Sequence, residues 1–143
     1  MSVRPGASPR RRKSPQTARA VLAVGRGGPE LDELARDLEG RADLLLVHCP
    51  ELAAAREALR HVSVALLIVS AAVSPRGVGL ALRAAHELRP GIPVLVVRGR
   101  SGEAPARWAS SGVGVQRRPL LPHALSRSVE VVLGLAEHQR RRG

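Results

Sequence analysis

The chain has no tyrosine and no phenylalanine, and its 143 residues include one tryptophan, Trp108, and one cysteine, Cys49. With a single aromatic ring it lacks the platforms on which proteins stack unpaired bases. A lone cysteine closes no internal disulfide, so nothing calls for an oxidising compartment and a cytoplasmic location is the expectation. Long apolar runs are missing as well. The longest, Val62 to Val73, falls short of the roughly 20 residues a helix needs to span a bilayer. Ala20 to Val24, which follows the basic run Arg10-Arg11-Arg12-Lys13, is too short for the core of an export signal and is soon broken by glycine and proline. No membrane partner is expected. Clusters that carry chemistry are also scarce. His48 and Cys49 are adjacent, but His61, His86, His123 and His138 add no metal-ligand spacing, and no Ser-His-Asp set is present. The expectation is a protein with no metal, no cofactor and no catalytic residues, and not an enzyme.

Positive charge, by contrast, is abundant: the formal net charge is +11. Taken whole, that suggests a nucleic-acid or membrane-surface partner. Its placement narrows the suggestion. Arg4, Arg10, Arg11, Arg12, Lys13 and Arg19 lie in the first nineteen residues and Arg140, Arg141 and Arg142 at the end, so the stretch between holds 14 basic residues against 12 acids. Residues 1–19, made largely of Pro, Ser, Gly and Arg, bury too little to offset their ordering entropy and read as a disordered basic arm. Residues 20–139 read as one domain, which is all this length accommodates, and 140–143 as a basic tail.

Within the domain the centre is Val64-Ala65-Leu66-Leu67-Ile68-Val69-Ser70, a branched apolar run that reads as a strand buried on both faces. Before it, Ala20 to Val24 and Ala42 to His48 make two more strands. Leu31, Leu34, Ala35 and Leu38 mark a helix between them, with Pro29 in its first turn and Glu30, Asp32 and Glu33 near its positive end. Pro50 to Leu59 is a second helix, with Leu52, Ala55 and Leu59 on one face. A loop around Ser74-Pro75-Arg76-Gly77 leads to a third, marked by Leu80, Leu82, Ala85 and Leu88. Ile92 to Val97 is the fourth strand, Ala104 to Ser110 a short helix, Val113 to Gln116 a weak fifth strand, and Leu120 to His138 a long last helix. Five strands alternating with five helices predict an α/β fold with a parallel sheet covered on both faces.

The run Arg89-Pro90-Gly91-Ile92-Pro93-Val94-Leu95-Val96-Val97, with Gly112 and then Arg118-Pro119, resembles the corresponding segments of two-component response-regulator receiver domains. The resemblance covers about residues 18 to 139. It implies a flavodoxin-like sheet of order 2-1-3-4-5, whose functional crevice lies at the carboxyl ends of its central strands. It also implies a degenerate member. The family's two acids after strand 1 fall on Gly25 and Arg26, its phosphoacceptor aspartate on Ser70, its switch Ser or Thr on Arg98 and its lysine on Arg118. Phosphoryl transfer to a carboxylate needs a divalent ion and hard oxygen ligands to hold it, and these positions offer neither.

Two further sites follow from the residues. Arg26 and Arg98 at neighbouring strand ends, with Gly27 and Gly28 freeing backbone amides at a helix start, suit an anion. In the last helix, Leu121, Leu125, Val129, Val132 and Ala136 form one stripe, and Leu120, Ala124, Val131 and Leu135 a second, wider than contact with a sheet requires. The second stripe is the candidate interface, for a signalling partner or a second copy, and the resemblance implies the same face. The leading expectation is a pseudo-receiver: a phosphorylation-independent, protein-interaction module in bacterial signal transduction. The alternative is a nucleic-acid-associated protein whose basic arms grip phosphates without reading bases.

Overall fold

The two central strands are buried on both faces, and their side chains divide between two cores, one on each side of the sheet. The computed structural model describes residues 18–101, 104–110 and 112–142. In chain order the elements are β1 (Arg19–Val24), α1 (Pro29–Leu38), β2 (Leu44–Cys49), α2 (Leu52–His61), β3 (Val64–Val69), α3 (Pro75–Leu88), β4 (Val94–Arg98), α4 (Ala106–Ser110), β5 (Gly114–Arg117) and α5 (Ala124–Arg142). The strands form one parallel sheet of order β2-β1-β3-β4-β5, the predicted fold. Ala20, Leu22 and Val24 of β1 point to the face covered by α2, α3 and α4, where Ala55, Leu59, Val78, Ala81, Ala85 and Trp108 pack. Val21 and Ala23 point the other way, onto Leu31, Leu34 and Leu38 of α1 and Leu125 and Val129 of α5. Between Ala20 and Val21 the register against β3 slips by one residue, and Ala65 and Leu66 both join the α1/α5 core.

Several boundaries differ from the sequence-based ones for local reasons. Ser74-Pro75-Arg76-Gly77 is the start of α3 and not a loop. The Ser74 hydroxyl caps the helix by accepting from the Gly77 amide at 3.1 Å, and Pro75 takes the first turn, where its missing N–H costs nothing. The last helix begins at Ala124, not Leu120; His123 just before it has φ of 60°, which no helix continues through. Ala18 is buried and Arg19 opens β1, so the folded part starts before residue 20, while α5 runs into the predicted tail as far as Arg142. Residues 1–17 of the predicted arm lie outside the described residues.

Candidate functional site

The carboxyl ends of β1 and β3 meet at the switch point of the sheet, and the residues there close on one another. Gly25, with φ of +106°, turns the chain out of β1; its amide donates to the Cys49 carbonyl at 3.0 Å. A Cβ at Gly25 would lie 2.6 Å from Ser70 Oγ and from Val73 Cγ2, so no L side chain fits this place without displacing both. Ser70 is 6% exposed. Its amide donates to the Val24 carbonyl at 2.9 Å, its carbonyl accepts from the Val73 amide at 3.1 Å and its hydroxyl accepts from the Ala72 amide at 3.3 Å. The hydroxyl is thus part of a turn, and among the described residues no carboxylate bonds to it. His48, at the end of β2, bonds through Nε2 to the Gly25 carbonyl and holds the β1 turn from the other side. Among the described residues no group of three or more His, Cys, Asp or Glu is placed to hold a metal ion.

Arg98 does not join Arg26 in an open pocket: β3 lies between β1 and β4, so the two strand ends expected to be neighbours are not. Arg98 is 5% exposed, its Nη1 donates to the Val73 carbonyl at 2.7 Å and its guanidinium lies 5.8 Å from the centre of the Trp108 ring. A buried guanidinium on an aromatic face is favourable when it keeps its hydrogen bonds. Here it ties the β3–α3 turn to β4 and α4. Trp108 is 1% exposed, and its Nε1 has no hydrogen-bond partner among the described residues. Arg26 and Gly27 are exposed on the rim, and Gly28 caps α1 with no side-chain bond.

Arg118 is turned away from Ser70 and toward α1. Its Nε and Nη2 donate to the two Glu30 oxygens at 2.8 and 2.6 Å, a bidentate pair that raises the Arg118 pKa further above its ordinary value. Glu30 and Glu33, expected from sequence only as helix-dipole acids, form a row with Asp37, which the sequence did not single out. Glu30, Glu33 and Asp37 recur at i, i+3 and i+7 on α1 and face the β5–α5 connection and the first turn of α5. Glu33 accepts from the His123 amide at 2.9 Å, while Asp37 meets His123 Nδ1 at 2.8 Å and the Ser126 hydroxyl. The hydrogen bonds from Ser126 and His123 hold the Asp37 carboxyl below its usual range, and the Asp37 hydrogen bond raises the His123 imidazole above its own. The signal was present in the spacing. What the chain did not disclose was the opposing partner, some 90 residues away.

Of the five positions assigned to the degenerate pocket, then, Gly25 and Ser70 touch, Arg98 reaches the same turn through Val73, Arg26 stays on the rim and Arg118 belongs to α1. A second concavity lies at the sheet edge between β5 and α5. It has a volume of about 550 Å³ and is walled by Leu95, Gly114, Val115, Ala124, Val131 and Val132, with the polar side chains of Gln116, Arg127 and Ser128 also in its lining. A Cβ at Gly114 would fall 2.7 Å from Leu95 Cδ2, so the groove floor is pinched between these two strands. Of the candidate interface residues, Val131 and Leu135 are exposed by 61 and 59%, and Ala124 is half-buried in the groove wall. Leu120 packs against the α1/α5 core, and Leu121, expected on the buried stripe, precedes the helix and is exposed.

No protein-family model matches the chain, and no curated protein does. Solved structures do match. A response regulator receiver protein from Sinorhizobium medicae superposes with a TM-score of 0.65 at 21% identity, over 85% of this chain and 98% of that one. A CheY-like receiver domain from Methanospirillum hungatei gives 0.68 at 18%, with the same coverage. The signal receiver domain of a Luxo repressor protein from Vibrio parahaemolyticus gives 0.71 at 13%, over 86 and 95%. The fold is therefore that of receiver domains. No helix among the described residues is long and apolar enough to cross a membrane.

Proposed function

We propose that the protein is a signalling module of the pseudo-receiver kind, which acts in the bacterial cytoplasm by binding a protein partner and does so without being phosphorylated. A fold shared with receivers leaves function open, because function resides in the site. The observation that carries the reading is the closed switch point: Ser70 is buried in its own turn, Gly25 is pressed against it, none of Gly25, Arg26 and Ser70 is a carboxylate, and no metal-holding group of acids lies among the described residues. With that crevice closed, the β5–α5 groove and the exposed Val131 and Leu135 beside it are the surface on which binding is placed, for a signalling partner or a second copy in a homodimer. The nucleic-acid alternative rests on the basic arms, and residues 1–17 of the first lie outside the described residues. Sedimentation velocity tests the interaction surface. The full chain is expected to self-associate in a concentration-dependent way, equally with and without a small-molecule phosphodonor and Mg²⁺, and Val131→Asp is expected to shift it to monomer. Association that appears only with the phosphodonor would overturn the reading, and so would association that Val131→Asp leaves intact.

A further inference from the structure

The carboxyl edge of the sheet carries more arginine than the closed crevice uses. Arg98 and Arg117 end β4 and β5, and both are engaged, Arg98 as described and Arg117 through Nη1 to the Gly99 carbonyl at 3.3 Å. Arg100 and Arg118 are different. Arg100 is exposed in the loop after β4, and the Arg118 side chain is 42% exposed although it is paired with Glu30. These two arginines, with Pro29, Glu30, Pro119 and Leu120, line a concavity of about 470 Å³ between the start of α1 and the β5–α5 connection.

Three of its six lining residues are apolar and three are charged, and its volume falls in the range of roughly 300 to 1,000 Å³ typical of small-molecule sites. Pro29, Pro119 and Leu120 offer a surface for an organic body, and two guanidinium groups offer donors for an anion. The uncapped start of α1 adds its positive end on the same side, since a Cβ at Gly28 would lie 3.3 Å from Arg118 Nη2. Glu30 already shows what Arg118 donates to there, a planar anion held by two parallel bonds. A carboxylate ligand would bring the same single charge that Glu30 brings. A phosphate monoester brings up to two charges and three acceptor oxygens, enough to draw Arg118 from Glu30 and engage Arg100 as well.

We propose that this concavity binds a small organic phosphate of about mononucleotide size, its phosphoryl group held by Arg118 and Arg100 and its body laid on Pro29, Pro119 and Leu120. The anion site expected from sequence at Arg26, Gly27, Gly28 and Arg98 thereby moves along the rim, because Arg98 is committed to Val73 and Trp108. The proposal is independent of how the β5–α5 groove is used.

The test is a calorimetric titration of the full chain at low ionic strength with adenosine monophosphate, adenosine and inorganic phosphate, accompanied by amide chemical shifts. Adenosine monophosphate is expected to bind at least tenfold more tightly than either of the others and to shift the amides of Gly28, Glu30 and Leu120. Arg100→Ala, at an exposed loop position, is expected to weaken it about tenfold, the usual worth of a charge-assisted bond. Glu30→Gln, which removes the internal competitor, is expected to tighten it several-fold, whereas a Glu30 that merely positioned Arg118 would give weaker binding on substitution. Unchanged Trp108 emission verifies that both variants remain folded. The proposal is overturned if adenosine binds as well as its monophosphate, if inorganic phosphate matches it, if binding is absent at millimolar ligand, or if neither substitution changes the affinity.

Discussion

Replacing Gly25 by alanine puts the closed crevice to a quantitative test. Two costs add. Gly25 sits at φ of +106°, where a residue with a Cβ is strained by about 1–3 kcal/mol. The new Cβ would also stand 2.6 Å from both Ser70 Oγ and Val73 Cγ2, and forcing a methyl group into a packed site costs about 1–3 kcal/mol more. A loss of about 2–6 kcal/mol is therefore expected, a large share of the about 5–15 kcal/mol that holds a domain folded. Urea unfolding followed by tryptophan emission is suited to the measurement, because Trp108 is buried and no tyrosine or phenylalanine contributes. Measured in a double-mutant cycle, Ser70→Gly should recover about 1 kcal/mol of the loss by removing one of the two clashing atoms, and Val73 and the backbone strain would account for the remainder. A loss below about 1 kcal/mol for Gly25→Ala would mean that the switch point has room for a side chain, and the argument from its closure would fail.

Other outcomes follow from the same contacts. Arg98→Met keeps an unbranched stem over Trp108 but abandons the Val73 carbonyl, and urea unfolding should register a loss of about 1–3 kcal/mol. Leu34→Ala, at a fully buried position of α1, should cost about 2–5 kcal/mol by the same assay. His123 has its pKa raised in the folded protein by the Asp37 hydrogen bond and by the charges of Asp37 and Glu33. Its stabilising contribution is therefore complete below the unfolded value of about 6.5 and is lost as pH rises through the higher folded value. His123→Asn, which tolerates the left-handed backbone there, should flatten the dependence of the urea midpoint on pH across that window. A slope as steep as the wild type's would remove His123 from the account.

The fold was legible because the physics behind it is local. Runs such as Val64 to Val69 have little use except as strands buried on both faces, and the leucines at 31, 34 and 38 fit one helix face. The boundaries that moved did so where a polar residue chooses between two hydrogen-bonding roles: Ser74 could have begun a loop and instead caps a helix. The site was half legible. That Ser70 and Gly25 stand at the switch point follows from strand order, but that they touch depends on the turn at Gly25, and φ is not written in the chain. Arg98 was the clearest departure. An arginine at a strand end reads as solvated, and only the placement of Trp108, ten residues on and across the β4–α4 connection, makes a buried position favourable for it. Glu30 and Glu33 were visible only as acids at the positive end of α1 and Asp37 not at all, because Arg118, His123 and Ser126 opposite them are brought there by the rest of the sheet.

Intact-mass measurement of the full chain after incubation with acetyl phosphate and Mg²⁺ addresses the central claim most directly. A protein whose switch point is closed by Gly25, Ser70 and Val73, with no carboxylate at Gly25, Arg26 or Ser70, should emerge with its mass unchanged. A gain of one phosphoryl group that is labile to hydroxylamine, the mark of an acyl phosphate, or a stable one mapped to Ser70, would contradict the account.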